Sequence, residues 1–401
     1  MERPDLIPDS HRSERTFLLH LLGAEPVDVD AANAIDPQAF LTITPRTLYP
    51  WVHWRLKQAG DGVAALRALF AESYRENALR HLRRMADLRH IDGALQAVNV
   101  PYLLLKGPVL AATVYEDPAT RTMTDLDLLI RDADFARAMS ALAEIGYVVP
   151  ADFAGVTMQA GDAPPLFNGQ PGSPVLEMHA MLDSAPDDPA TVDEVWATAR
   201  VVELGHGLRV PALAPAEFFA HVVTHVSRHH RFEGELRSLL DVALLLRSKA
   251  DLDWASLKEE WTRRRIVMWV ELTLSLANIL LGAPLPKAFS DAAPPPEALM
   301  LAAEQLWVDK DKRVSGKITQ LFTGSAAAPV HAHAAGAMVP MPSGRAGMRL
   351  RARRQWQMVR RNFSQLLDGT LRPRTVARDV TLFRNRERLF TLLESSERRP
   401  R

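Results

Sequence analysis

Apolar residues recur at helical spacing over most of this chain, and a few short runs break the rhythm. Glu14 to Leu22 and Pro45 to Ala59, with Leu48, Trp51, Val52 and Leu56, predict helices. Val63 to Val98 is the longest periodic stretch, with Leu66, Leu69, Phe70, Tyr74, Leu79, Leu82, Met85, Leu88, Ile91 and Leu95. Its opposite face carries many arginines and reads as solvated. Val100 to Leu105 is different: a continuous apolar run of strand length that stops at Lys106-Gly107. Pro108 suits the first turn of the helix expected over Val109 to Tyr115. A second apolar run ends in Asp125-Leu-Asp127-Leu-Leu-Ile130. Asp132 to Ile145 returns to helical spacing, with Asp132 or Asp134 placed to cap it and Gly146 to end it. Tyr147 to Val149 reads as a strand. Residues 150–174, rich in Gly, Pro, Ala and Asp, read as a loop or irregular hairpin, with a short strand at Phe153 to Met158. Val175 to His179 is a further strand. Helices follow at Pro215 to Arg228, Glu235 to Leu246, Leu257 to Leu281 and Pro295 to Val308. The ends, residues 1–13 and Ser395 to Arg401, are polar and expected to fray. Strands confined to the middle of a helical chain predict an α+β fold.

The second apolar run carries the chemistry. Side chains alternate along a strand, so Asp125 and Asp127 share a face, while Leu126, Leu128 and Ile130 point inward. Two adjacent carboxylates repel unless a cation stands between them, and Mg²⁺ suits hard oxygen ligands. Asp-x-Asp also occurs in solvated turns. Here it lies in an apolar run, a strand–glycine break precedes it, and a third acid, Glu177, follows in Val175-Leu-Glu177-Met-His179. That combination is the kernel of a two-metal phosphoryl- or nucleotidyl-transfer site. A glycine turn opening a helix offers backbone N–H groups to an anion. Lys106 either adds a positive charge for a phosphate or is a surface lysine. Arg121, four residues before Asp125, either clamps a triphosphate or neutralises the aspartates.

Leu105-Lys106-Gly107, Tyr115, Asp117-Pro118, Arg121-x-Met123-x-Asp125-Leu-Asp127-Leu-Leu and Glu177-x-His179 resemble a bacterial, largely uncharacterised nucleotidyltransferase-like family of the DNA polymerase β-like superfamily. The resemblance is strongest over residues 85–250. It implies a small mixed sheet with helices, flanked by helical regions. It implies that Asp125, Asp127 and Glu177 hold two Mg²⁺ ions and carry catalysis. Lys106, Gly107, Arg121 and His179 would face a nucleoside triphosphate, expected to be ATP. In many relatives the third acid also serves as general base, and His179 is open to orienting it, to contacting substrate, to acting as that base itself or to plain packing. Where the wider superfamily has Gly-Ser or Gly-Gly, this chain has Gly107-Pro108, which leaves the serine's phosphate-holding role vacant. The expected organisation is a helical region (1–95), the nucleotidyltransferase core (96–205), a helical domain (206–320), an Ala/Gly/Pro-rich loop (321–347) and a basic helical segment (348–401).

His221 and His225, one helical turn apart, have His229 and His230 nearby. The set invites a zinc reading, but it lacks a metalloprotease glutamate and any cysteine, and a pocket-facing or core role reads better. Asp241, inside an apolar helix, needs a partner, either Arg237 or one of the histidines. Composition then sets bounds. The 401 residues carry 48 basic and 48 acidic side chains, so nothing global points to nucleic acid or a membrane. The absence of cysteine excludes disulfides and thiol catalysis. No apolar leader opens the chain, and Val267 to Leu281 reads as a buried helix, so a cytoplasmic location is expected. Arg345 to Arg361 is dense in arginine, and RNA binding through it is one alternative function. A non-catalytic nucleotide- or partner-binding module is another. The favoured acceptor is a small molecule or protein.

Overall fold

The computed structural model describes residues 6–150, 163–170, 172–184, 189–248, 252–291, 293–309 and 373–397. The strand expected at Phe153 to Met158, the loop at 321–347 and the basic segment Arg345 to Arg361 lie outside the described residues.

Five strands form one mixed sheet in the order β3-β2-β1-β5-β4. They are β1 (Tyr102–Leu104), β2 (Asp125–Ile130), β3 (Val175–His179), β4 (Arg200–Glu203) and β5 (Arg209–Ala212). β2 runs antiparallel to β1 and parallel to β3, and β5 runs parallel to β1. The first three strands stand where the apolar runs predict them. The β4–β5 hairpin carries no such signal: of its strand residues only Val210 and Ala212 are buried. β5 carries the sheet beyond residue 205. Tyr147 to Val149 forms no strand, only a single bridge from Val148 to Phe167.

The helices before the sheet are α1 (Arg12–Leu22), α2 (Val29–Ala34), α3 (Pro37–Ile43), α4 (Tyr49–Gln58), α5 (Ala64–Ala68) and α6 (Ala71–Ala97). The long periodic stretch is thus two helices, broken at Leu69–Phe70, with Phe70 fully buried in the joint. α6 holds the segment leading to β2. Tyr74 Oη donates to Asp117 Oδ2 (2.6 Å), and Asn77 Nδ2 donates to the Ala119 carbonyl (2.6 Å). Its arginine face is not wholly solvated either, for Arg84 is 7% exposed. Within the sheet region come α7 (Gly107–Thr113), α8 (Phe135–Glu144) and α9 (Pro189–Thr198). Asp134 stands at the start of α8 but does not cap it, because its carboxylate pairs with Arg137.

After the sheet come α10 (Pro215–Thr224), a π turn (His225–His229), α11 (Leu236–Arg247), α12 (Trp254–Arg263), α13 (Val267–Leu281) and α14 (Pro296–Leu306). A last helix spans Pro373–Glu397. α13 is apolar all round and correspondingly buried. Its Glu271 is buried too and is held by Lys258 at 3.2 Å. No helix among the described residues is long and apolar enough to cross a membrane.

Candidate active site

β2 carries the two aspartates, and strand register decides what faces them. Asp127 lies opposite Glu177, Asp125 opposite Val175, and Leu129 opposite His179. With period-two alternation, Asp125, Asp127, Glu177 and His179 share one face of the sheet. Leu126, Leu128 and Ile130 fill the other face and are fully buried. Asp127, Glu177 and His179 each bring a ligand atom within 4.8 Å of the others. Asp125 sits one step nearer the strand's start, outside that trio, and accepts from Thr124 Oγ1 at 3.3 Å.

The strand-to-helix turn supplies a cation. Lys106 has φ 43° and ψ −107°, a backbone conformation that side-chain-bearing residues rarely adopt. Its side chain is 12% exposed, so it is not a surface lysine. Nζ lies 3.0 Å from Asp127 Oδ1 and 3.4 Å from His225 Nε2. His179 Nε2 reaches the same Oδ1 at 3.1 Å and Glu177 Oε2 at 4.0 Å. Burial pushes the Asp127 carboxyl up, but the Lys106 charge and the His179 hydrogen bond outweigh it and hold Asp127 well below the carboxylate range. Glu177 goes the other way, raised by burial and by the charges of Asp127 and Asp125. Two carboxylates on neighbouring strands thus differ sharply in proton affinity.

Gly107 is needed for close approach. A Cβ there would stand 3.0 Å from Met123 Sδ and 3.3 Å from Arg121 Nη1. Above this turn opens a cleft of about 250 Å³. One wall is Lys106, Gly107, Asp125 and Asp127; the other is formed by His225 and Arg237 with their neighbours from the π turn and α11.

Arg121 is committed elsewhere than the sequence suggested. Its Nε and Nη2 both donate to Asp241 on α11, at 2.9 Å each, leaving Nη1 over Gly107. A buried guanidinium so bound is a strut between the cleft walls, and the Asp125 charge also acts on it. Tyr115 Oη donates to Asp241 at 2.6 Å, and Arg237 approaches it at 3.3 Å. Arg237 is the partner expected from sequence; Arg121 and Tyr115 are not readable there, because the fold joins them across more than 100 positions.

A family model described as an uncharacterised nucleotidyltransferase matches residues 33–282. The chain belongs to this nucleotidyltransferase family. No curated protein matches the chain. The family implies nucleotidyl transfer as the kind of reaction and a nucleotide as a substrate. The matched span covers the whole sheet and the α10–α11 wall of the cleft.

Two features of this nucleotidyltransferase site escape sequence reading. Asp183, in the turn after β3, meets His225 Nδ1 at 2.9 Å and His229 Nδ1 at 3.3 Å. Burial raises its carboxyl, yet these two hydrogen bonds bring it well below the usual range. An acid in an irregular turn has no periodic signal. Arg84 is the second: it is buried on α6 with Nε and Nη1 unpartnered, and the Asp125 charge acts on it. A lone arginine within an arginine-rich helix carries no mark in sequence.

Proposed function

We propose that this chain moves a nucleoside monophosphate from a nucleoside triphosphate, ATP in the first instance, to an acceptor hydroxyl, releasing pyrophosphate. The observation that carries the reading is the register of β2 and β3, which sets Glu177 beside Asp127 on the face that bears Asp125. That face opens on a cleft bounded by the Lys106–Gly107 turn. The donor set is chemically suited to Mg²⁺: three carboxylates and an imidazole on one sheet face, three of them already within 4.8 Å of one another. Asp125, Asp127 and Glu177 would hold the ions. When bound, two Mg²⁺ ions neutralise the charge that develops on the phosphates and favour the deprotonated acceptor.

The chain's own residues do the rest. Backbone N–H groups at the start of α7 face the phosphates. Lys106, whose side chain lines the cleft, would offer its ammonium to the β- and γ-phosphates. His179 orients Asp127 through their 3.1 Å contact. Glu177 takes the proton from the acceptor hydroxyl. The acceptor oxygen forms its bond to the α-phosphorus, and the bond from that phosphorus to the bridging oxygen breaks. Its electron pair leaves with pyrophosphate. The balanced overall charge fits a small-molecule or protein acceptor better than RNA.

The test is transfer of label from α-labelled ATP, GTP, CTP and UTP in Mg²⁺, with host lysate as the acceptor pool and Asp125→Ala as the control. Label moving to an acceptor only with the wild type supports the reading. Nucleotide binding with no transfer to any acceptor would replace it with a binding module.

A further inference from the structure

Beside the carboxylate face stands a bank of imidazoles that the proposed reaction leaves without a task. His225, His229 and His230 each offer a nitrogen within 4.8 Å of the others. A regular α-helix could not arrange this. It would carry His230, five positions on, about 140° around the axis from His225. The chain instead widens into a π turn at His225–His229, closed by His230 N–H donating to the His225 carbonyl at 3.0 Å. That i→i+5 bond brings His230 back over His225 while His229 stays beside it. The ring centroids are 4.4 Å apart for His225–His230 and 4.9 Å for both His225–His229 and His229–His230.

We propose that His225, His229 and His230 form a binding site for a divalent transition-metal ion of the zinc class, separate from the carboxylate site on β2 and β3. Ligand type carries the choice of ion: imidazole nitrogens suit Zn²⁺, Co²⁺, Ni²⁺ and Cu²⁺, and oxygen donors suit Mg²⁺. An independent observation is the carboxylate behind the rings. Asp183 takes Nδ1 of both His225 and His229, and Glu235 Oε1 lies 3.9 Å from His230 Nδ1. A carboxylate bonded as Asp183 is fixes the tautomer and orientation of metal-binding histidines. A fourth imidazole, His221, is 3% exposed, has no hydrogen-bond partner at either nitrogen among the described residues, and lies tilted against His225 with ring centroids 6.0 Å apart. Lys106 Nζ, 3.4 Å from His225 Nε2, shows that a cation is accommodated here. An ion at His225 Nε2 would displace that contact. The inference does not depend on the proposed nucleotidyl transfer.

The full-length protein is stripped with chelator and titrated with Zn²⁺ or Co²⁺. The expected result is one tightly held equivalent. X-ray absorption of the zinc-loaded wild type should count three imidazoles. His229→Ala and His230→Ala should each weaken zinc binding on the order of 100-fold, and Asp127→Asn should leave it within about twofold. No tightly held equivalent overturns the proposal. A coordination sphere of one imidazole with carboxylates also overturns it, because the ion would then be on Asp127, Glu177 and His179. Unchanged affinity in folded His229→Ala does the same. The imidazole count is made on the wild type, so a variant that fails to fold does not block the test.

Discussion

Asp241 is the residue whose removal tests how the cleft is held together. It is 1% exposed, and its carboxylate accepts from Arg121, Tyr115 and Arg237. Arg121 lies just before β2, Tyr115 just after α7, and Asp241 in the middle of α11. One carboxylate therefore ties both walls of the cleft. Asp241→Asn keeps the shape and removes the charge, leaving a buried guanidinium without its counterion. At an effective dielectric near 20, one such contact is worth about 4 kcal/mol, and breaking a buried pair costs about 3–5 kcal/mol. Asp241→Asn should therefore destabilise the protein by about 3–5 kcal/mol. Arg121→Met should cost less, roughly 2–3 kcal/mol, because Arg237 and Tyr115 still serve Asp241. The double variant Arg121→Met/Asp241→Asn removes both buried charges and should be more stable than the sum of the single losses predicts. Urea unfolding followed by tryptophan fluorescence reads this directly, since Trp51 packs edge-on against Tyr115 with ring centroids 5.5 Å apart. A loss below about 1 kcal/mol for Asp241→Asn, or strict additivity in the double, would refute the strut. If folded Arg121→Met lost nucleotide affinity by more than about tenfold with unchanged stability, Arg121 would be a phosphate clamp after all.

Three further outcomes follow from the same geometry. Asp127→Asn should lower pyrophosphate release at least about 1000-fold while the circular dichroism spectrum stays unchanged, and a near-wild-type rate would remove Asp127 from the catalytic role. Gly107→Ala should cost about 1–3 kcal/mol by pressing on Met123, and adding Met123→Ala should recover part of it; denaturant midpoints decide. His221, held to about 3 by burial first and the Lys106 charge second, stays neutral in the folded protein while the unfolded chain titrates it near the ordinary value. Its contribution to stability is present above about pH 6.5 and is lost as pH falls from there toward about 3, at about 1.4 kcal/mol per pH unit. In metal-free buffer His221→Phe should flatten the acid limb of the stability profile; an identical limb would show that the ring titrates freely.

Much of the fold was readable because the pattern was local. β2 and β3 were marked by continuous apolar runs, and Asp125 and Asp127 by period-two alternation within one of them. α13 announced its burial by being apolar on every side. What stayed hidden depends on tertiary pairing. The β4–β5 hairpin is too exposed to carry an apolar signal, yet β5 lies beside β1. Arg121 read equally well as a clamp or a neutraliser, since a sequence cannot show that Asp241 waits 120 residues away. The histidines were visible as i and i+4 on a helix. The π turn that brings His230 in as well has no signature in the residues themselves, and the acid behind them, Asp183, sits in a turn without period.

The position of Lys106 bears on how the carboxylate site would load. Asp127 Oδ1 already has an ammonium at 3.0 Å and an imidazole at 3.1 Å. The fold thus compensates this acid from within, and it does so with a strained backbone at Lys106, a conformation that costs on the order of 1–3 kcal/mol. A bare Mg²⁺ ion gains little there, because it must compete with the buried lysine for Asp127. A nucleotide changes the balance: its phosphates offer Lys106 a new partner and complete the ion's coordination at the same time. Mg²⁺ and nucleotide should therefore bind with positive coupling. Thermal unfolding is expected to shift little with MgCl₂ alone and little with ATP in chelator. With MgATP the shift should exceed the sum of the two, since stabilisation by a ligand grows as the logarithm of its concentration over Kd. In Lys106→Met the ion meets no competing ammonium, so Mg²⁺ alone should bind more tightly than in the wild type and the coupling should shrink. Equal coupling in the two proteins would show that Lys106 takes no part in loading the site.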